Sequence, residues 1–259
     1  MVGIVVQEGT EGVVTLTMSS PKNLNALSDE MIEALTGSLL RIGNDPKIRV
    51  VILRGEGKAF CAGHDLKQMT ARKEERGDSY YADLFQRCAK MVLTLRDLPQ
   101  PVIAQVHGVA TAAGCQLVAS CDLAVAADTT RFGVNGVNIG LFCSTPMVAL
   151  SRNISRKKAF ELLTTGEFLT AEEAETHGLI NHAVPEAELA TATRELAEKI
   201  AAKRGAVVKL GKEAFYKQLE LPLDKAYAYT GDVMARNLAL DDTQEGIAAF
   251  LEKRAPNWD

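Results

Sequence analysis

Two stretches of this chain join small residues to the entry of a helix, a pairing that can present unpaired backbone N–H groups to a ligand. The first is Gly108-Val-Ala-Thr-Ala-Ala-Gly-Cys-Gln-Leu-Val-Ala-Ser-Cys-Asp122, which follows a short apolar strand pattern, Pro101-Val-Ile-Ala-Gln-Val106. Ala112, Ala113 and Gly114 let a ligand come close to the backbone. The N–H groups of a helix's first turn, with the helix dipole behind them, suit a developing negative charge such as an enolate oxygen. The plain alternative is that small residues only let a helix pack tightly on a sheet. The second stretch, Lys58-Ala-Phe-Cys-Ala-Gly-His-Asp-Leu-Lys67, also follows a strand pattern and ends at a helix start. Two such units can supply the two donors of an oxyanion hole.

Few side chains nearby can move a proton or attack a carbonyl. His64 titrates near neutrality in an ordinary setting, although its imidazole can equally pack or face solvent. Cys143, Ser144 and Thr145 lie in Gly140-Leu-Phe-Cys-Ser-Thr-Pro146. Ser144 is a candidate site hydroxyl, but Ser144 or Thr145 also suits a helix cap, and Cys143 has no evident base to activate it. Asn135 and Asn138 can hydrogen-bond a carboxylate or water. His107, His177 and His182 have no paired spacing, so no metal site is expected.

The elements that must position these residues alternate in type. Strand patterns at residues 4–7 and 13–17 flank Glu8-Gly-Thr-Glu-Gly12, which reads as a hairpin. Ser28 reads as an N-cap, followed by a helix burying Met31, Ile32, Leu35, Leu39 and Ile42. Residues 50–53 read as a buried parallel strand, and residues 123–126 continue the series. Helical patterns cover residues 66–71 and 80–98, separated by a charged segment, residues 72–78, read as a mobile loop. Thr170-Ala-Glu-Glu173 matches a capping box, with Gly178 as a helix stop. Strands alternating with helices imply βαβ units. Near Pro185 the composition shifts to helical patterns at residues 189–203, 207–219, 224–240 and 242–253. The expected organisation is an α/β core over residues 1–185 and a helical region over residues 186–259.

Composition narrows the function classes. The 259 residues can bury one large core, and 47% hydrophobic with 24% charged residues is ordinary for a globular chain. A net charge of -4 argues against nucleic acid as a partner. No apolar run approaches the roughly 20 residues of a membrane span, so no membrane partner is expected. The five cysteines are odd in number and form no Cys-x-x-Cys motif. They read as reduced thiols. The opening Val2-Gly-Ile-Val-Val6 has strand rather than leader character, and a cytoplasmic location is expected.

Together the two small-residue stretches resemble the enoyl-CoA hydratase/isomerase (crotonase) superfamily. Asn25-Ala-Leu-Ser28, Gly178-Leu-Ile-Asn181 and Glu245-Gly-Ile-Ala-Ala-Phe-Leu-Glu-Lys-Arg254 extend the resemblance over nearly the whole chain. The resemblance implies an α/β fold, a crotonase-like spiral of repeated ββα units with a C-terminal helical region. That region packs between subunits in relatives, so a homotrimer or a hexamer (dimer of trimers) is implied. It also implies an acyl-CoA substrate, with coenzyme A as part of the thioester and no prosthetic group.

By the same resemblance, the backbone N–H groups of His64 and Ala113 hold the thioester oxygen. Lys22, Asn23 and Leu24 contact the phosphates and pantetheine. Ala62, His64, Asp65, Leu66 and Lys67 flank the adenine and thioester, and Phe250 and Lys253 approach coenzyme A from the last helix. Hydratases of this superfamily carry glutamates at two positions, which match Gln116 and Gly136 here. Neither residue titrates, whereas hydration needs groups that activate water and protonate carbon. Residues 112–122 and 136–146 are similar to a subgroup described as enoyl-CoA hydratase domain-containing proteins. Enoyl-CoA hydration is therefore the nominal assignment. Ala62-Gly-His-Asp65 and Val137-Asn-Ile-Gly140 also resemble the methylmalonyl-CoA decarboxylase branch. Decarboxylation needs the oxyanion hole but no base in its first step, so it is the more attractive mechanism. A catalytically weak acyl-CoA-binding protein is a third reading.

Overall fold

The apolar runs of this chain become strands covered on both faces. The computed structural model describes residues 4–10 and 12–258. Residues 1–3, 11 and 259 lie outside them, including Val2 of the opening strand pattern and Glu11 of the hairpin turn. Strands β1 (Ile4–Thr10) and β2 (Val13–Ser19) pair antiparallel with Thr10 opposite Val13, the hairpin that the alternation predicts. Helix α1 (Asp29–Gly43), strand β3 (Val50–Gly55), helices α2 (Leu66–Arg76) and α3 (Ser79–Asp97) and strand β4 (Val102–Val106) follow. Next come β5 (Val109–Thr111), α4 (Ala113–Ser120), β6 (Leu123–Ala127), β7 (Arg131–Gly133), α5 (Pro146–Asn153) and α6 (Arg156–Thr165). The series closes with β8 (Phe168–Thr170), α7 (Ala171–Thr176), β9 (His182–Val184) and α8 (Leu189–Ala201).

The larger sheet has the order β1-β2-β3-β4-β6-β9 and is parallel from β2 onward. Parallel strands covered on both sides need continuous apolar residues, and Val50, Val51, Ile52 and Leu53 are all buried. A second sheet, β5-β7-β8, takes the short strands that follow β4 and β6. The chain therefore runs strand, short strand, helix through β4-β5-α4 and again strand, short strand, helix through β6-β7-α5, the repeated ββα pattern that the resemblance implies. Helix α1 is capped by the Ser28 hydroxyl, which accepts from the Met31 N–H at 3.2 Å. Its buried residues are those that the 3.6-residue period marks, joined by Ser38. They meet Tyr80, Leu84, Cys88, Met91 and Leu95 of α3 in one core. Thr170 and Glu173 form the expected capping box at α7.

The charged stretch expected as a mobile loop is helical as far as Arg76, and Gly77, at φ 74°, ends that helix. Its charges are used across helices. Arg72 pairs with Glu75 at 2.9 Å and lies 3.7 Å from Asp29, while Arg76 reaches Asp83 at 3.5 Å. Asp29 also accepts from Arg87 at 2.7 Å and from the Tyr80 hydroxyl at 3.1 Å, tying α1 to α3.

The chain divides into two compact units, Met1–Ile200 and Ala201–Asp259. The second unit contains α9 (Gly205–Leu219), α10 (Leu223–Leu238) and α11 (Asp241–Glu252). Within it, Arg204 forms a two-pronged pair with Asp242 at 2.7 and 2.5 Å, and Arg254 holds Glu245 at 2.6 and 2.9 Å.

Asn25 fastens the segment before α1 to the loop after β3. It is fully buried at φ 56°, a backbone region that asparagine tolerates better than most residues. Its Oδ1 accepts from the Ser20 N–H at 2.9 Å, and its Nδ2 donates to the Glu56 and Ala59 carbonyls, both at 2.8 Å. Asn25→Ala strands three backbone groups, at roughly 1–3 kcal/mol each. We expect urea unfolding to show a loss of about 3 kcal/mol or more; a loss below about 1 kcal/mol contradicts this role.

Candidate active site

Residues 58–65 and 107–114 run side by side at backbone contact distance. The Phe60 N–H donates to the His107 carbonyl at 3.0 Å, the Cys61 N–H to Val109 at 3.2 Å, and the Thr111 N–H to Cys61 at 3.1 Å. Glycine makes both ends of this pairing possible. A β-carbon on Gly108, which sits at φ 64°, would stand 2.0 Å from the Lys58 carbonyl oxygen, and one on Gly114 would stand 2.1 Å from the Cys61 carbonyl oxygen. A β-carbon on Gly63 would lie 3.6 Å from the Ala113 nitrogen, so the residue before His64 abuts the first residue of α4. The segment is also anchored from below: the Leu27 N–H donates to the Gly63 carbonyl at 2.7 Å, and the Asp65 N–H to the Leu27 carbonyl at 3.2 Å.

This pairing leaves two donors free. Among the described residues, neither the His64 N–H nor the Ala113 N–H donates to any group. Ala112, just before α4, has φ 49° and ψ −117°, a region that glycine alone occupies easily. Its N–H donates to Gly133 at 2.9 Å and its carbonyl accepts from Gln116 at 3.0 Å, so the conformation is held from both sides. Strain of this kind costs on the order of 1–3 kcal/mol and aims the free Ala113 N–H.

Beside Asp65, whose carboxylate is engaged by Asn23 and the Gln68 N–H, three positions near the two donors carry no charge. The His64 ring packs edge-on against Phe85 of α3, with centroids 5.6 Å apart. Its Nε2 is buried without a partner, and burial lowers its pKa to about 4, so the imidazole is neutral at pH 7. Gln116, 5% exposed, lies one helical turn from Ala113. Its Oε1 is enclosed without a hydrogen-bond partner. At Gly136 a β-carbon would stand 2.3 Å from the Leu141 carbonyl oxygen and 2.9 Å from the Cys143 sulfur, so the loop as folded accepts no side chain there.

The other candidates have structural tasks. Asn135 accepts from the Thr111 hydroxyl at 2.6 Å, and Asn138 donates to the Gly166 carbonyl at 3.3 Å. Ser144 is exposed and makes only a 3.4 Å contact to the Phe142 carbonyl. Neither Ser144 nor Thr145 caps α5 with its side chain; Pro146 opens that helix and removes one N–H that would need a cap. Cys143 is buried and its thiol pKa is pushed up by burial, which opposes a nucleophilic role.

The residues assigned to coenzyme A fall into two groups. Lys22 and Asn23 sit in a single turn, Pro21–Asn23, and Leu24 follows at φ 56°. The Ala62 N–H donates to the Leu24 carbonyl at 3.0 Å, and the Asn23 amide donates to Asp65 at 3.2 Å, so the two loops are joined. Asp65 also caps α2 through the Gln68 N–H at 3.1 Å. Asn23 Oδ1 is buried without a partner. Leu66 and Lys67 are exposed on the first turn of α2. Phe250, 82% exposed, and Lys253 belong to the second unit, at the end of α11. Sequence reasoning missed the Phe85 contact and the strain at Ala112, and it noted Asn25 only as part of a motif. An asparagine between a strand–loop and a capped helix is a recognisable signal for a buried backbone clasp.

The His64 shift carries a pH prediction. Its folded-state pKa lies below the ordinary 6.5, so between pH 6.5 and about 4 the folded chain binds fewer protons than the unfolded chain. Stability from this group is full above pH 6.5 and is lost as pH falls toward about 4. His64→Phe, which keeps a ring against Phe85, removes this loss, an effect of order 2–3 kcal/mol across the window. Urea midpoints at about pH 5 and about pH 7.5 measure it, and equal pH dependence in both proteins contradicts it.

Comparison with known proteins shows the family and the fold. The model of the family described as Enoyl-CoA hydratase/isomerase matches residues 8–259. The chain is 51% identical over 248 residues to the Homo sapiens protein named enoyl-CoA hydratase domain-containing protein 3, mitochondrial, covering 96% of this chain and 81% of that one. It is 36% identical to a probable mitochondrial enoyl-CoA hydratase of Dictyostelium discoideum, covering 97% and 88%. A crystal structure titled enoyl-CoA hydratase, from Mycobacterium smegmatis, superposes with a TM-score of 0.96 at 50% identity, covering 98% of each chain. The human domain-containing protein 3 structure superposes at 0.94 with 50% identity, covering 98% and 99%. The mitochondrial names of the Homo sapiens, Xenopus laevis and Mus musculus relatives overturn the cytoplasmic expectation. Buried cysteines and a net charge of -4 do not distinguish one reducing compartment from another. On the family match, the relatives and the superpositions together, this chain belongs to the enoyl-CoA hydratase/isomerase family.

Proposed function

We propose that the chain binds an acyl-CoA thioester and holds its carbonyl oxygen between the N–H groups of His64 and Ala113, stabilising the thioester enolate. The observation that carries this reading is the pair of unpaired N–H groups at the junction of two glycine-paired segments. Each such donor is worth about 3 kcal/mol of barrier. Lys22, Asn23, Leu24, Ala62, Asp65, Leu66 and Lys67 hold the coenzyme A portion. Coenzyme A enters as part of the substrate.

The reaction best supported by a site without charge at residues 64, 116 and 136 is decarboxylation of a malonyl- or methylmalonyl-type thioester. The bond from the α-carbon to the carboxylate breaks, its electron pair moves into the thioester enolate, and CO2 leaves. The α-carbon then takes a proton from solvent. The oxyanion pair supports the first step without a base. Gln116 and Gly136 cannot transfer a proton, and Gly136 has no room for a side chain that could. The second reading is enoyl-CoA hydration, the nominal reaction, favoured by the names of relatives such as the Dictyostelium discoideum protein. The homotrimer or hexamer belongs to the same proposal. The exposed row Leu223, Tyr227, Met234 and Leu238 along α10 supports it, because such a row is usually covered.

One preparation tests these points. Malonyl-CoA, methylmalonyl-CoA and crotonyl-CoA are supplied in turn while CO2 release and loss of enoyl-thioester absorbance are followed. We expect CO2 release from the malonyl-type thioesters to exceed crotonyl-CoA hydration. Hydration at an ordinary enzymatic rate of about 10 per second favours the second reading instead. Binding of all three without turnover leaves an acyl-CoA-binding protein. Light scattering on the same sample reads the assembly, and a particle of 27.9 kDa removes the oligomer.

A further inference from the structure

Buried polar side chains usually find a partner, so a wholly unpartnered one marks a place where something else binds. Gln116 is such a residue. It is 5% exposed, and neither end of its amide forms a hydrogen bond among the described residues. Its Oε1 is fully enclosed, which leaves Nε2, a donor, as the more open end. It stands one turn along α4 from Ala113, on the same side of the helix, so its donor lies beside the place proposed for the thioester.

The charge pattern around it is the second observation. Gln116 is neutral, the His64 ring is neutral and without a hydrogen bond, and Gly136 is pressed against the Leu141 carbonyl with no space for a carboxylate. None of these three positions carries a negative charge. A glutamate at residue 116 would repel an anionic acyl group, whereas the glutamine of the same shape can donate to it.

We infer that Gln116 is a specificity-determining residue whose Nε2–H donates to the free carboxylate of a malonyl-type acyl group. This rests on the acyl-CoA reading and on decarboxylation as its chemistry. A neutral donor positions the carboxylate without the cation pair that would stabilise it against leaving as CO2. The interaction therefore favours the ground state less than a salt bridge does.

The test is stopped-flow binding of malonyl-CoA and butyryl-CoA, read before CO2 release, on the full chain and on two variants, Gln116→Glu and Gln116→Leu. Wild type binds malonyl-CoA at least about tenfold more tightly than butyryl-CoA, the worth of one hydrogen bond to an ionised acceptor. Gln116→Glu reverses that preference, and Gln116→Leu reduces the ratio toward one with butyryl-CoA affinity kept. Thermal unfolding sets Gln116→Leu at or above wild type, because it removes an unsatisfied buried amide; a merely structural glutamine would give a lower midpoint. Equal affinities for the two thioesters in wild type, or an unchanged preference in Gln116→Glu, overturn the inference while leaving coenzyme A binding intact. Selective malonyl-CoA binding without CO2 release supports the inference and rejects decarboxylation. Failure of both thioesters to bind rejects the acyl-CoA reading and the inference with it.

Discussion

Everything at the candidate site depends on two stretches of backbone lying closer than any β-carbon allows. Gly108 sits over the Lys58 carbonyl and Gly114 over the Cys61 carbonyl, at distances that a methyl group could not share. Between them the Cys61–Ala110 bridge locks the register. With that register set, Gly63 abuts Ala113, and among the described residues the N–H groups of His64 and Ala113 are left without an acceptor. The large parallel sheet, the α1–α3 core and the Asn25 clasp hold this one contact in place. Backbone donors held this rigidly need no reorganisation when charge develops, which is why side-chain changes nearby leave the proposed oxyanion pair standing.

The second property of the site is the lack of charge at residues 64, 116 and 136. Burial keeps the His64 ring uncharged, Gln116 carries an amide, and the loop at Gly136 closes on itself through Leu141 and Cys143. The thiols do not restore a charge: burial pushes Cys61 and Cys115 up to about 12. Under the proposed function such a site stabilises an enolate but has little means to create one by removing a proton. The proposed decarboxylation therefore differs from both reactions in the family's name.

Much of the fold was legible because local rules and the global fold agree. The Ser28 cap, the apolar period of α1, the hairpin and the Thr170–Glu173 box all formed where residue chemistry placed them. The second sheet was not legible: β5, β7 and β8 have three residues each, too short for any alternation to show. The charged residues after Ala71 misled for a different reason. Their polarity suits a loop, but cross-helix pairs such as Arg72 with Asp29 and Arg76 with Asp83 support a helix almost devoid of buried side chains. At the site, the two small-residue stretches led to the N–H groups of His64 and Ala113, which donate to no group among the described residues. What sequence could not carry was tertiary: the Phe85 contact on His64, the exclusion of any side chain at residue 136, and the solitude of Gln116. Compartment was not legible either, because buried thiols look the same in any reducing space.

The central claim is that the His64 and Ala113 N–H groups polarise a thioester carbonyl. Difference infrared spectroscopy of butyryl-CoA labelled with carbon-13 at that carbonyl tests it without requiring turnover. The account predicts that the carbonyl stretch moves to lower wavenumber on binding, as two hydrogen bonds weaken the C=O bond. A bound ligand whose carbonyl stretch stays at its solution value or rises would mean that the two free N–H groups do not meet the thioester oxygen, and the proposed chemistry would fall with them.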